Sequence, residues 1–82
     1  ELRYLKRETH FYFDAIWKIF QIMTRNESYT WLSKQMNLEI DYTHIAMFDE
    51  KQCQQCIDLS YKFLLTQNIN IFYEILLNRR ST

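Results

Sequence analysis

The 82 residues contain no glycine and no proline, where average usage is roughly 7% and 5%. Tight hairpin turns depend on residues that tolerate positive φ, and glycine is the usual one. A chain without it argues against a many-stranded sheet and favours helices joined by short links containing Asn or Asp. Cysteine is also scarce. The two present, Cys53 and Cys56, are three apart and make no disulfide framework, so a reducing, cytoplasmic compartment is the expectation. Charge of one sign is missing too, since ten basic residues face ten acidic ones. The balance holds locally: Arg3, Lys6, Arg7, Lys18, Arg25 and Lys34 stand against Glu1, Glu8, Asp14, Glu27, Glu39 and Asp41 in the first half. Nucleic-acid binders usually carry a basic excess. No apolar run approaches the roughly 18 residues that span a membrane, and no signal-peptide pattern opens the chain. The first residue is Glu rather than Met, which is read as the mark of a fragment.

What is present is side-chain bulk. Aromatics make up 17% and apolar residues 48% of the chain. Each large ring buries about 150–250 Å², which allows a core to close near the lower size limit for a domain. Phe13, Ile16, Trp17, Phe20 and Met23 recur at helical spacing, with Leu2, Leu5 and Tyr12 extending the stripe upstream. This predicts an amphipathic helix from Leu2 to Met23. Thr24 and Glu27 fit a capping box, and a second helix then carries Tyr29, Leu32 and Met36 on one face, with Trp31 beside it. Asn37 is a suitable left-handed stop. Residues 38–48 read as a connection with a short helical turn, Ile45, Met47 and Phe48 pointing inward. Asp49 and Gln52 cap the next helix, whose buried stripe is Cys53, Cys56, Ile57, Ser60, Phe63 and Leu64. The stripe continues past Gln67 and Asn68 into Ile69, Ile71, Phe72, Ile75 and Leu76, as one helix or two. The predicted fold is all-α, a compact bundle of four to five helices forming one domain over residues 1–82.

Few constellations carry chemistry. Cys53 and Cys56 resemble half of a zinc site, which needs four ligands. The other half would be His10 and His44. Both cysteines lie on the apolar stripe, where a free thiol behaves as a small hydrophobe, so packing is the first reading and zinc the alternative. His10 and Asp14 sit at i and i+4, within hydrogen-bonding reach on a helix, but no nucleophile with a positioned base and no phosphate-binding loop is visible. Trp17, Trp31 and six tyrosines exceed what so small a core can enclose, and such rings are enriched at binding hot spots. Arg3, Lys6 and Arg7 make a local basic patch near the start, and Arg79 and Arg80 another at the end.

The order His10-x-x-Phe13-Asp14-x-x-Trp17, Thr24-Arg25-x-Glu27-x-Tyr29-x-Trp31-Leu32, then His44-Ile45-x-Met47-Phe48-Asp49-x-x-x-Cys53 resembles the helical C-terminal part of a zinc-finger-containing family of phage and bacterial proteins. The resemblance covers residues 2–57. It implies a Cys-rich half that this sequence lacks, and so attributes no zinc finger to it. Ala15 stands where the family often has Pro, and Ala46 where it often has Gly; the second change implies a more helical turn between His44 and Phe48. The resemblance also implies a prophage-borne accessory protein acting inside a bacterium.

Three functions are therefore expected in order. The first is a non-enzymatic module that docks Trp31 and Tyr42 onto a protein partner, onto its own missing N-terminal half, or into an oligomer. The second is nucleic-acid association through Arg3, Lys6, Arg7 and Lys18, aided by a zinc finger elsewhere. The third is a metal-dependent site at His10, Asp14 and His44, with or without Cys53 and Cys56.

Overall fold

A computed structural model describes residues 1–67 together with Glu74, Leu77 and Asn78. Three α-helices are found among these residues: α1, Leu2–Asp14; α2, Arg25–Met36; and α3, Glu50–Gln67. Four to five helices were expected; among the described residues there are three, the segment 38–48 forming single turns. The apolar set from Ile69 to Leu76, the pair Arg79 and Arg80, and the choice between one helix and two beyond Gln67 lie outside the described residues.

The first helix does not run on to Met23. After Asp14 it widens into a π turn, Ala15–Ile19, in which the Phe20 amide donates to the Ala15 carbonyl at 2.9 Å. The chain then reverses at Gln21, which is left-handed with φ 52°. The Ile22 amide closes this end on the Ile16 carbonyl at 2.9 Å, satisfying a carbonyl that the helix terminus leaves without a partner. Trp17 and Phe20 are half-buried on this terminal turn.

The other caps follow the sequence. Thr24 Oγ1 accepts from the Glu27 amide at 3.1 Å, and Glu27 Oε1 accepts from the Thr24 amide at 2.9 Å. Those bonds hold the Glu27 carboxyl below its usual range. Asn37 ends α2 in the left-handed region. Asp49 and Gln52 exchange the same reciprocal bonds, at 2.8 and 3.0 Å, at the start of α3. Between α2 and α3 lie two 3₁₀ turns, Ile40–Tyr42 and Ile45–Met47. The second is the helical turn that Ala46 implied. Ile45 and Phe48 are buried as expected, but Met47 is 59% exposed. A three-residue turn with an eclipsed period points successive side chains in different directions, so inward Ile45 carries Met47 outward.

The core is Phe13, Ala15, Ile16, Leu32, Met36, Ile45, Phe48, Cys53, Cys56 and Leu64. α1 packs chiefly on α3, and α2 closes over the π turn and α3. One ring pair joins each pair of helices: Tyr12 with Tyr61 at 6.1 Å, Phe13 with Tyr29 at 4.8 Å, and Trp31 with Phe63 at 5.0 Å. Small side chains take the place of glycine where helices approach closely. Thr9 Oγ1 donates to the Leu5 carbonyl at 2.6 Å and lies 3.5 Å from the Cys53 carbonyl of α3. Cys53, Cys56 and Ser60 continue this narrow buried strip along α3. Every buried side-chain polar atom among the described residues has a hydrogen-bond partner, as a core of this size requires.

Candidate functional site

The polar side chains singled out from the sequence separate into two grooves on either side of a stacked row. The first groove, about 290 Å³, is lined by His10, Phe11, Asp14, Ala15, Lys18 and Ile19. Here the expected i, i+4 pair forms, with His10 Nδ1 3.2 Å from Asp14 Oδ2. The other carboxylate oxygen, Oδ1, accepts from the Trp17 indole N–H at 3.2 Å. The π turn is what presents Trp17 back to Asp14. Among the described residues the lining of this groove holds no hydroxyl and no thiol, and Lys18 is its one side chain with an amine.

The second groove, also about 290 Å³, lies between the N-terminal half of α2 and the first 3₁₀ turn. Arg25, Asn26, Tyr29, Thr30, Ile40, Thr43 and His44 line it. Arg25 lies over the Tyr29 ring at 4.9 Å and within 5.8 Å of the Trp17 ring. On Tyr29 the His44 ring sits 6.3 Å away, tilted by 46°. Burial pushes the Tyr29 phenol up, against the pull of Arg25 and with the push of Asp14. The two grooves are thus joined by a row of contacts, His10–Asp14–Trp17–Arg25–Tyr29–His44.

The expected cluster of His10, Asp14 and His44 does not assemble. His44 belongs to the Arg25 groove and is separated from Asp14 by the stacked row, because the first 3₁₀ turn, Ile40–Tyr42, packs on α2, whereas the second packs on α1. Arg25 and Tyr29 escaped attention as site residues. Their signal was the i, i+4 spacing of a cation and a ring, hidden within the capping box.

Zinc can be tested on the donors present. The chain holds two cysteines and two histidines. Both thiols are free and completely buried. Burial raises the Cys56 thiol to about 12, opposed by the Ser60 hydroxyl, 4.0 Å from its sulfur. A zinc site needs four converging ligands, and both thiols lie at 0% exposure within the core. Among the described residues no group of three or more His, Cys, Asp or Glu side chains converges to hold a metal ion. These residues do not fit a zinc site; the CxxC spacing belongs to the helix-packing strip.

The basic patch is divided. Arg3 and Arg7 are exposed one helical turn apart, but Lys6 is half-buried and donates its Nζ to the Ala46 carbonyl at 2.6 Å. That bond ties α1 to the second 3₁₀ turn. Trp31 is likewise half-buried against Phe63, whereas Tyr42 is 59% exposed. No helix among the described residues is long and apolar enough to cross a membrane.

No curated protein and no solved structure matches the sequence. A family model does: that of a zinc-finger-containing domain, over residues 1–63. That span takes in α1, α2, both 3₁₀ turns and most of α3, and with them both grooves and the buried cysteine pair, so the chain belongs to the zinc-finger-containing domain family.

Proposed function

We propose that this chain is a non-enzymatic protein-interaction module that docks a partner on the face formed by its two 3₁₀ turns. The observation that carries this reading is the outward display of Ile40, Tyr42 and Met47, 49%, 59% and 59% exposed on successive turns, directly beside the Arg25 groove. Large apolar side chains held out on short, bonded turns lose little conformational freedom on binding. The turns are bonded: Thr43 Oγ1 donates to the Glu39 carbonyl at 2.7 Å, and Lys6 holds the Ala46 carbonyl.

The setting of a phage or prophage accessory protein that acts on a host factor, and the placement of this segment after a Cys-rich half, are supported by the sequence resemblance. A second reading, nucleic-acid association, draws on the exposed Arg3 and Arg7 and on membership of a zinc-finger-containing family. It calls for an affinity that falls steeply with salt.

The test is a selection of random displayed 12-residue peptides on the full chain, counted against a Tyr42→Ala, Met47→Ser double variant whose urea midpoint has been checked. Peptides that enrich on the native chain and lose at least tenfold in affinity on the variant are the expected result. Enrichment that ignores both substitutions, or none at all, refutes the docking face.

A further inference from the structure

From the geometry of the second groove we infer that it is a carboxylate-recognition site: Arg25, laid on Tyr29 and Trp17, receives an Asp or Glu side chain of the docked protein segment. The inference rests on the protein-interaction reading and assigns the partner's chemistry.

The first support is that the guanidinium is positioned but unspent. Two ring centroids lie 4.9 and 5.8 Å from its Cζ, yet among the described residues it makes no hydrogen bond and no ion pair. Arginine presents five donors in a planar fork matched to a carboxylate. Stacking on rings leaves the in-plane edge open while limiting side-chain freedom.

The second is that Asp14 and Glu27 are already engaged. Asp14, which also reaches the Trp17 platform, is taken by His10 and by the indole N–H. Glu27, two residues from Arg25, is locked in the capping box. Among the described residues no acidic side chain lines the groove. A carboxylate from outside therefore meets an uncompensated cation without displacing an internal partner.

The third is that the lining suits a protein segment better than a phosphodiester chain. Arg25 is the only permanently charged residue lining the groove, and its wall is built from Tyr29, Ile40, Thr30 and Thr43. The segment that supplies that wall also carries Glu39 and Asp41, both exposed. One carboxylate balances one guanidinium, whereas a run of phosphates would meet those two acids. His44 and Asn26 flank the site as further polar contacts. The exposed Ile40 is shared between the groove and the docking face, so the recognised acidic residue stands next to an apolar one.

The experiment uses the displayed 12-residue library on the full chain. The enriched pool is expected to contain an Asp or Glu beside a large apolar residue. Synthesised as a blocked peptide, the strongest binder should lose about tenfold in affinity on Arg25→Gln, as expected for a charge-assisted hydrogen bond. Arg25→Lys, which keeps the charge but not the fork, should also weaken it. Replacing the peptide's acid by its amide should cost the same factor on the native chain and nothing further on Arg25→Gln. Both variants are checked for an unchanged helical spectrum. A pool that binds through Tyr42 and Met47 but has no acidic preference, or an acid and an Arg25 whose effects simply multiply, overturns the carboxylate site and leaves the docking reading standing. No enriched peptide overturns both. Binding of a 12-nucleotide oligothymidine that is lost on Arg25→Gln reassigns the groove to phosphate and overturns the inference.

Discussion

Replacing Cys56 with Ala separates a core thiol from a zinc ligand by magnitude alone. The side chain is completely buried in the core, with the Ser60 hydroxyl 4.0 Å from its sulfur. Removing one buried atom of about methylene size loses roughly 0.8 kcal/mol of transfer energy. The small void that remains adds about 0.5 kcal/mol, for a total near 1.3 kcal/mol. At a urea dependence of about 1 kcal/mol per molar for a small domain, the midpoint should fall by about 1 M. A structural zinc contributes about 10–16 kcal/mol to the folding of small domains, so a metal-dependent fold would behave quite differently. Urea melts of both proteins should be run in reducing buffer, with equimolar zinc and with a chelator. Neither additive should move the native midpoint, and the loss from Cys56→Ala should be the same in both. A native midpoint that rises by several molar with zinc, in a manner abolished by the substitution, would refute the packing account of the CxxC pair.

Two further outcomes follow from the backbone and from the same thiol. Gln21→Gly should stabilise the chain by about 0.5 kcal/mol: the left-handed conformation costs a side-chain-bearing residue about 1–2 kcal/mol, and the added freedom of unfolded glycine returns about 0.4–1 kcal/mol of that. Gln21→Val in the same urea assay should destabilise, and a neutral result for both would contradict the left-handed stop at φ 52°. The Cys56 thiol ionises near 9.0 in the unfolded chain but at about 12 when folded. The folded state therefore holds its proton more tightly, and this contribution is complete below pH 9 and is lost as pH rises towards 12. Between those values stability should fall by as much as about 1.4 kcal/mol per pH unit. Cys56→Ala should flatten that fall, and an equal slope in both proteins would count against the buried neutral thiol.

How much was legible in the sequence depended on the range of the interaction. Thr24 with Glu27, Asp49 with Gln52, and Asn37 at its left-handed stop are contacts within a single helical turn, and each formed as the spacing predicts. The buried stripe of α3 was readable at Cys53, Cys56, Ser60 and Leu64, because helical period decides which residues share a face, whereas Ile57 and Phe63, expected in the same stripe, are half-buried at its margin. Met47 was misplaced because a 3₁₀ turn does not keep that period. The end of the first helix was hidden for a related reason: nothing local distinguishes Gln21 from a residue in mid-helix, and only packing of the π turn against α2 compensates for its left-handed backbone.

The absence of glycine and proline, together with the spacing of rings and caps, determined by itself that this protein is helical and where α2 and α3 begin. Tertiary structure decided the rest. It set Thr9 against Cys53 and so made the cysteines packing residues. It joined Lys6 to Ala46 across 40 positions, drew His44 away from His10 and Asp14, and stacked Arg25 on Trp17 and Tyr29. Caps and periodicity are properties of one helix, whereas a groove exists only between elements, where the direction of approach is set by the shape of the whole core.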